Sequence, residues 1–523
     1  MAKDRILSKS ARSTGFMAAG NLLSRLTGVG RLVALAWALG ITASADAYNL
    51  ANTTPNIIHD MVVGGIATAT FVPVFVQELT RKKESEAMRS ISAVVSLSCL
   101  VLLAATVLGE LLAPDLIRLY LVANHRPDAA KETAVGTTFL RWFMPQVLCY
   151  GFVAISTALL NTKRRFAAPA FAPVATNLFT IALLLVAAHL ARDPSLSRLS
   201  HDTGLMILLG LGTTVGIALQ AIAVVPSLLR SGIRLAWRLS LSDPAVRAVV
   251  RLSKWILGVV VLNQLSLFAI LALAASLEPG SVSAYTYAYT FFQMPIAVIA
   301  TSVVGVLVPE LSEQWARGRR QAFANSMAKG LRALMTFLVP GAIGLILLAK
   351  PAMVLLLGHG VPHVALAHAP AALAMFALGL PGAGVFFLCI RALQSMHDTK
   401  TVFALYALEN AVKLALAIAL VFPLKLEGLA LASSAAYSIA SILGLSILWR
   451  RGVSPVNLTT GRTLLRLLVA CAPMGAVVAV VERTVGASSG LELLFRLTAA
   501  ILTGLATFAL FVLAGTAIEG LKR

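Results

Sequence analysis

The sequence predicts an all-α polytopic membrane protein of fourteen transmembrane helices, and three observations carry the prediction. First, 58% of the 523 residues are hydrophobic and 12% are charged, with a mean hydropathy of +0.86. No soluble globular class has this composition. Second, apolar stretches of about 20 residues, long enough to span a bilayer, recur along the whole chain. Third, lysine and arginine cluster between those stretches. The amino tail, the loops after even-numbered spans and the carboxyl tail hold 29 of them, against 9 in the loops on the other side. The asymmetry predicts that both termini are cytoplasmic. The net charge of +21 thus reads as orientation in a membrane rather than as nucleic-acid binding.

In order, the predicted spans are 14–41, 46–79, 90–112, 134–160, 168–190, 204–229, 248–276, 281–313, 331–357, 364–394, 402–422, 428–449, 463–482 and 493–515. The second and eighth are long and broken by Pro55, Pro73, Pro295 and Pro309. Such breaks are tolerated where a span lines a protein cavity. Upstream of the first span, Lys3, Arg5, Lys9 and Arg12 followed by Ala43-Ser44-Ala45 mimic a cleavable signal. The apolar segment is too long for one, and the first helix is expected to stay. Cys99, Cys149, Cys389 and Cys471 lie far apart in apolar runs, with neither metal spacing nor a disulfide framework.

The first span carries the main chemical clue. Arg25 and Arg31 lie about ten residues from its two ends, roughly 15 Å of helix and beyond comfortable snorkelling reach. Each costs about 2.5–3.5 kcal/mol if it faces lipid. Either they line a water-filled functional cavity, or they snorkel or neutralise Asp46. Six residues of ideal helix rotate by about 240°, so a straight helix separates the two side chains. A kink at Thr27, Gly28 and Gly30 would turn both toward one cavity. Planar guanidiniums suit phosphate oxygens, so the substrate expected is anionic and phosphorylated.

The two halves resemble each other. Leu111-Leu112-Ala113 recurs as Leu347-Leu348-Ala349, Val72-Pro73 as Val308-Pro309, and Pro145 as Pro381, each at an offset of 236. Ala47-Tyr48 matches Ala284-Tyr285, and Asn177 matches Asn410, at 237 and 233. The shift is six spans, an even number, so both repeats keep one orientation. Two parallel-repeat six-helix bundles follow, related by a pseudo-two-fold axis along the membrane normal, plus two extra helices. The expected domains are an amino-terminal lobe (1–229), a basic cytoplasmic linker (230–254), a carboxyl-terminal lobe (255–449, its first helix starting near 248) and an appendage (450–523). The linker is either a plain basic connection or an amphipathic segment on the membrane surface. Such an architecture suits alternating access around a midplane site. Arg391 on the tenth span faces that site or snorkels to the cytoplasmic end.

Other candidates are weaker. His359, His363 and His368 have a spacing that suits a metal, but Pro362 interrupts any helix there, so a solvated loop is expected. Walker A and HExxH strings are absent, which argues against an ATP-driven pump and against HExxH metallohydrolases. A polyprenyl-phosphate glycosyltransferase would want acidic residues on a sizeable outer loop, and Asp115 and Asp128 are the few candidates.

Several stretches resemble the MurJ (MviN) lipid II flippases of the MOP transporter superfamily. They are NLLSRLTGVGRLVALAWALGITASADAYNLANTTPNII, GGIATATFVPVFVQEL, LNTKRRFAAPAFAPVATNL and, in the second half, VLVPELSE and MHDTKT. The resemblance implies a flippase that moves lipid II, the undecaprenyl-diphosphate-linked peptidoglycan precursor, from the inner to the outer leaflet of the bacterial cytoplasmic membrane without covalent catalysis. Its alternatives are a flippase for another polyprenyl-linked glycan or a multidrug exporter of the same superfamily. It makes Arg25 and Arg31 cavity residues for the diphosphate, with Arg391 and His59 as further contributors, and Asp46 a gate. His59 stands where many members carry an arginine, and another family arginine falls near Tyr289 or Thr290. The last two helices are expected to form a lipid groove. Some members bind sodium, for which Glu409, Asn410 and Asn263 are the candidate ligands here; a plain Glu409–Lys413 ion pair is the alternative. The implied partners are lipid II, membrane lipids and the cell wall synthesis machinery.

Overall fold

The structure, a computed structural model, describes residues 2–64, 70–81, 83–163, 165–190, 195–357, 368–484 and 490–521. His359 and His363 lie outside them. The chain forms two compact units, 1–282 and 283–523. Among the described residues eleven helices are long and apolar enough to cross a membrane, or twelve if one pair bent by 47° counts as a single span.

Unit 1 contains α1 (Ala2–Leu39) and α2 (Ala43–His59), followed directly by a π-helical turn (Asp60–Gly64). Then come α3 (Val72–Arg81), α4 (Glu84–Leu111), α5 (Ala113–Tyr120), α6 (Ala129–Phe143), α7 (Gln146–Thr162), α8 (Ala167–Leu190), α9 (Leu196–His201), α10 (Thr203–Leu229) and α11 (Pro244–Ala275). Asp202 and Asp243 cap α10 and α11 by accepting a backbone N–H, and Pro244 starts α11 where no intrahelical donor is needed.

α11 packs within unit 1. Phe268 meets Tyr120 at 4.0 Å between ring centroids, and Ser253 Oγ donates to Thr70 Oγ1 at 3.2 Å. The linker before it is not an amphipathic helix up to residue 243. From Ile233 to Ser240 it has no regular structure, and the N–H groups of Ala236 and Arg238 donate to Ser92 Oγ and Ser96 Oγ of α4.

α12 (Ser281–Pro295) leads into unit 2 and a second π-helical turn (Ile296–Ala300). After it come α13 (Thr301–Ala316), α14 (Arg320–Leu357), α15 (His368–Leu378), α16 (Leu380–Ser395), α17 (Thr399–Arg450), α18 (Leu458–Thr484) and α19 (Gly490–Leu521). α15 and α16 are the bent pair. A straight 52-residue α17 would be about 78 Å long. It turns instead at Lys425, whose φ of 47° and ψ of −128° are not helical. Asp398 before its start and Arg451 after its end are ion-paired, so the two arms fold back on each other. α18 and α19 pack on α14 through Leu348, Val478, Leu493, Leu497 and Ala500.

Candidate functional site

α1 runs without interruption through its glycines. The expected kink at Gly28 and Gly30 is not there. The glycines allow α8 to come close instead: a Cβ on Gly30 would lie 3.2 Å from Ile181 Cδ1. Asn177 of α8 fixes the segment between the arginines, donating from Nδ2 to Ser24 O and Thr27 Oγ1 at 3.0 Å each. The rotation of about 240° therefore stands, and the two arginines do not share one environment. Arg25 is exposed, whereas Arg31 is half-buried. No carboxylate lies within ion-pair distance of either among the described residues.

Arg31 lies within electrostatic reach of the Tyr48 and Tyr150 hydroxyls. Tyr48 is buried and its hydroxyl is 2.8 Å from Thr213 Oγ1, which itself donates to Leu209 O. Tyr150 shares a side-chain hydrogen bond with Asn56, and its ring centroid is 5.7 Å from that of His59. Arg31 and His59 are thus both neighbours of Tyr150. His59 Nδ1 is 3.1 Å from Asp60 Oδ1, and Gln264 Nε2 donates to Asp60 Oδ2 at 2.7 Å. His59 Nε2 is buried without a partner among the described residues. Asp60 changes the expectation for His59: a protonated imidazole there would be matched by its neighbour's carboxylate and add no net positive charge.

Asp46 is fully buried at the start of α2. Its Oδ2 accepts the Gly280 N–H at 2.7 Å, tying the start of α2 to the segment that follows α11. Gly280 has φ +91°, and a Cβ there would lie 2.6 Å from Ile41 O, so no other residue fits without strain. A carboxylate receiving a backbone N–H is a strong clasp, worth about 1.5–3 kcal/mol.

In unit 2, Arg391 is exposed, stacks on Phe387 at 5.0 Å and donates from Nη1 to Gln394 Oε1 at 3.0 Å. Glu409 is buried and accepts from Lys413 Nζ at 3.2 Å, and Asn410 Nδ2 donates to Tyr406 O. The ion-pair alternative for Glu409 is therefore the arrangement observed. Asn263 is half-buried on α11. His368 Nδ1 is 3.1 Å from Glu427 Oε1. Among the described residues no group of three or more His, Cys, Asp or Glu side chains could hold a metal ion.

Sequence reasoning missed Asp60, Tyr150 and Gln264. The signal for Asp60 was its place directly after His59. Gln264 is a lone amide in an apolar span, and such groups need a partner. Nothing local marks Tyr150.

With that geometry in place, comparison with solved structures defines the class. A multidrug resistance MATE family transporter of the MOP superfamily, in an inward-facing conformation, matches with a TM-score of 0.67 at 12% identity, covering 81% of this chain and 94% of that one. A lipid II flippase MurJ in an inward closed conformation matches with a TM-score of 0.77 at 22% identity, covering 97% of this chain and 99% of that one. The fold is MurJ- and MATE-like. The family model described as Lipid II flippase MurJ matches residues 35–499. A probable lipid II flippase MurJ of Rhizobium meliloti (strain 1021) is 28% identical over 459 residues, 87% of this chain and 83% of that protein. The lipid II flippase MurJ of Burkholderia cenocepacia (strain J2315) is 26% identical over 387 residues, 73% and 72% of the two chains. The chain belongs to the lipid II flippase MurJ family.

Proposed function

We propose that the protein flips lipid II from the inner to the outer leaflet of the bacterial inner membrane, by alternating access and without covalent catalysis. The observation that carries this reading is the family match over residues 35–499, which includes the clasp at Asp46 and the cluster around His59. The half-buried guanidinium of Arg31, with no carboxylate beside it, supplies the free positive charge that a diphosphate needs. Arg25 and Arg391 are the further diphosphate contacts, and Asp46 gates the outer end. His59 is held by Asp60 and orients rather than charges the site. A negative-inside potential favours outward movement of the anionic head by about 2.3 kcal/mol per charge per 100 mV.

We read the chain as fourteen crossings. α17 supplies two, α15 with α16 one, and α2 with its π-helical turn and α3 one. The repeat reading gains support from the π-helical turns at Asp60–Gly64 and Ile296–Ala300. The second begins 236 residues after the first, the offset that recurs in the sequence. Cytoplasmic termini rest on the distribution of lysine and arginine. A sodium ion at Glu409 would compete with Lys413 for the carboxylate.

Depletion provides the test. Cells lacking the protein should accumulate lipid II in the inner leaflet, and the full chain should restore translocation. If lipid II reaches the outer leaflet at the normal rate without the protein, or if Arg25→Ala and Arg31→Ala together leave translocation intact, the reading fails.

A further inference from the structure

Three glutamines deep in the spans of unit 1 each find a partner. Gln146 donates from Nε2 to Thr214 Oγ1 at 3.0 Å, Gln220 Oε1 accepts from Thr176 Oγ1 at 3.4 Å, and Gln264 holds Asp60. Gln293, on α12, differs. It is exposed, and its amide has no partner among the described residues. It lies about 18 Å of helix from Ser281 and about 35 Å from Ala316, the two ends of one apolar stretch of membrane-spanning length. That is too deep for its short side chain to snorkel to either surface. Facing acyl chains, its N–H and C=O groups would go unmet, at a large cost. Gln293 therefore faces an aqueous space within the membrane.

Its helical neighbours define what that space accepts. An α-helix turns by about 100° per residue, so Tyr289, Thr290 and Gln293 share one face about 100° wide. Tyr289 is half-buried, and its ring is held by Tyr285 at 6.0 Å, Phe376 at 5.5 Å and Phe292 at 6.1 Å between centroids. Thr290 Oγ1 donates back to Thr286 O at 2.8 Å, which leaves its oxygen as an acceptor. α12 carries no Lys, Arg, Asp or Glu. The face thus offers a fixed ring, a hydroxyl, and an amide that both donates and accepts, without charge. A phosphate finds no cation on it. An acyl chain would leave the amide unmet. A pyranose sugar fits: its apolar C–H face stacks on a ring, and its rim of hydroxyls exchanges hydrogen bonds with amide and hydroxyl groups.

We propose that Gln293 reads the sugar of the carried headgroup, with Tyr289 as the stacking platform and Thr290 as a further acceptor. This place for the saccharide rests on the lipid II reading above. It adds recognition by residues other than the guanidiniums that take the diphosphate. A polyprenyl diphosphate bearing a sugar is held by both sets of contacts, whereas undecaprenyl diphosphate without a sugar is held by its phosphates alone. A site built to hydrogen-bond a hydroxyl discriminates against a ligand that lacks it, because the site's own polar groups are then left unpaired.

Binding to the purified full-length chain in lipid nanodiscs tests this with three probes: lipid II, lipid II from which the peptide has been removed, and undecaprenyl diphosphate. Gln293→Met keeps the length of the side chain and removes its hydrogen bonds. Because Gln293 is exposed, the variant should keep the wild-type thermal midpoint. It should bind lipid II and the peptide-free lipid about tenfold more weakly than the wild type does. Undecaprenyl diphosphate should bind both chains equally. Equal losses for all three probes, or no loss for any, overturns the proposal. A loss confined to lipid II with its peptide also overturns it, and assigns Gln293 to the peptide instead. Should Gln293→Met not fold, Thr290→Val decides: a loss for the two sugar-bearing lipids alone supports the sugar site, and any other pattern overturns it. A wild-type chain that binds none of the three probes fails the lipid II reading as well, whereas wild-type binding with an unaltered variant fails only the sugar site.

Discussion

The π-helical turns at Asp60–Gly64 and Ile296–Ala300 occupy matching places in the chain, yet their surroundings have opposite chemistry. In unit 1 the turn at Asp60–Gly64 begins with a carboxylate, follows His59, and is tied to Gln264 of α11. In unit 2 the turn at Ile296–Ala300 is entirely apolar and follows Pro295. The helix before it, α12, carries Tyr285, Tyr289 and Phe292, all packed on Phe376 of α15 with centroids 5.3–5.5 Å apart. A π-helical turn widens a helix and often marks a functional place. One unit fills the widened region with hydrogen-bonding groups, the other with rings. Unit 1 thus surrounds its turn with hydrogen-bonding side chains, while unit 2 surrounds its own with packed rings.

The sharpest way to break this contrast is to remove the ring at the centre of the unit 2 cluster. Phe376 is fully buried. Phe376→Ala leaves a cavity among three rings, and about 3–5 kcal/mol of stability should be lost, read as a large fall in the thermal midpoint in detergent. A fall corresponding to less than about 1 kcal/mol would mean that the aromatic cluster is not what holds unit 2 together. Unit 1 should respond in the reverse way. Arg31→Ala should leave the midpoint nearly unchanged but cut lipid II translocation about 10–100-fold, the equivalent of one charge-assisted contact of roughly 1.5–3 kcal/mol. Arg391→Ala, in the packing unit, should cost translocation less. Equal losses at the two positions would erase the division of labour.

Gly280→Ala probes the clasp by its backbone. The residue lies in the left-handed region and has Ile41 O where a Cβ would go. The substitution should cost about 1–3 kcal/mol and raise hydrogen exchange around Asp46. The same stability as the wild type would show that residues 40–42 and 276–280 part easily.

These features differed in how far the sequence exposed them. Spans bounded by charged or capping residues were legible, so 168–190 and 204–229 reappear as α8 and α10 within a residue. The hairpin within α17 was visible as two spans around Lys425, because a single helix of that length has no bilayer to fit. The glycines between Arg25 and Arg31 were misread, since a glycine that permits a bend also permits close approach of a neighbouring helix. Local sequence does not say which use is made. Glu132 and Arg126 were not singled out, because nothing local shows that a loop arginine will fold back onto the carboxylate six residues on. The place of α11 in unit 1 was equally hidden, because Gln264 and Ser253 choose partners that periodicity cannot name.

The smallest expected effect tests the claim that Asp398 and Arg451 close the hairpin of α17 as a charged pair. Asp398 caps α17, accepting the Thr401 N–H at 3.0 Å and the Thr401 hydroxyl at 2.7 Å, and it pairs with Arg451 beyond the far end. Partial burial pushes its carboxyl upward, but the Thr401 hydrogen bonds and Arg451 outweigh that and leave it below the usual aspartate value. A depressed carboxyl stabilises the folded state above the unfolded value, about pH 4, and the contribution is lost as pH falls through the folded value. Thermal midpoints of the wild type should therefore drop on acidification below about pH 4 by more than those of Asp398→Asn. At neutral pH, Asp398→Ala should cost about 1 kcal/mol through the lost cap. If the variant and the wild type lose stability in parallel in acid, Asp398 is not a charged cap, and the hairpin of α17 is closed by packing alone.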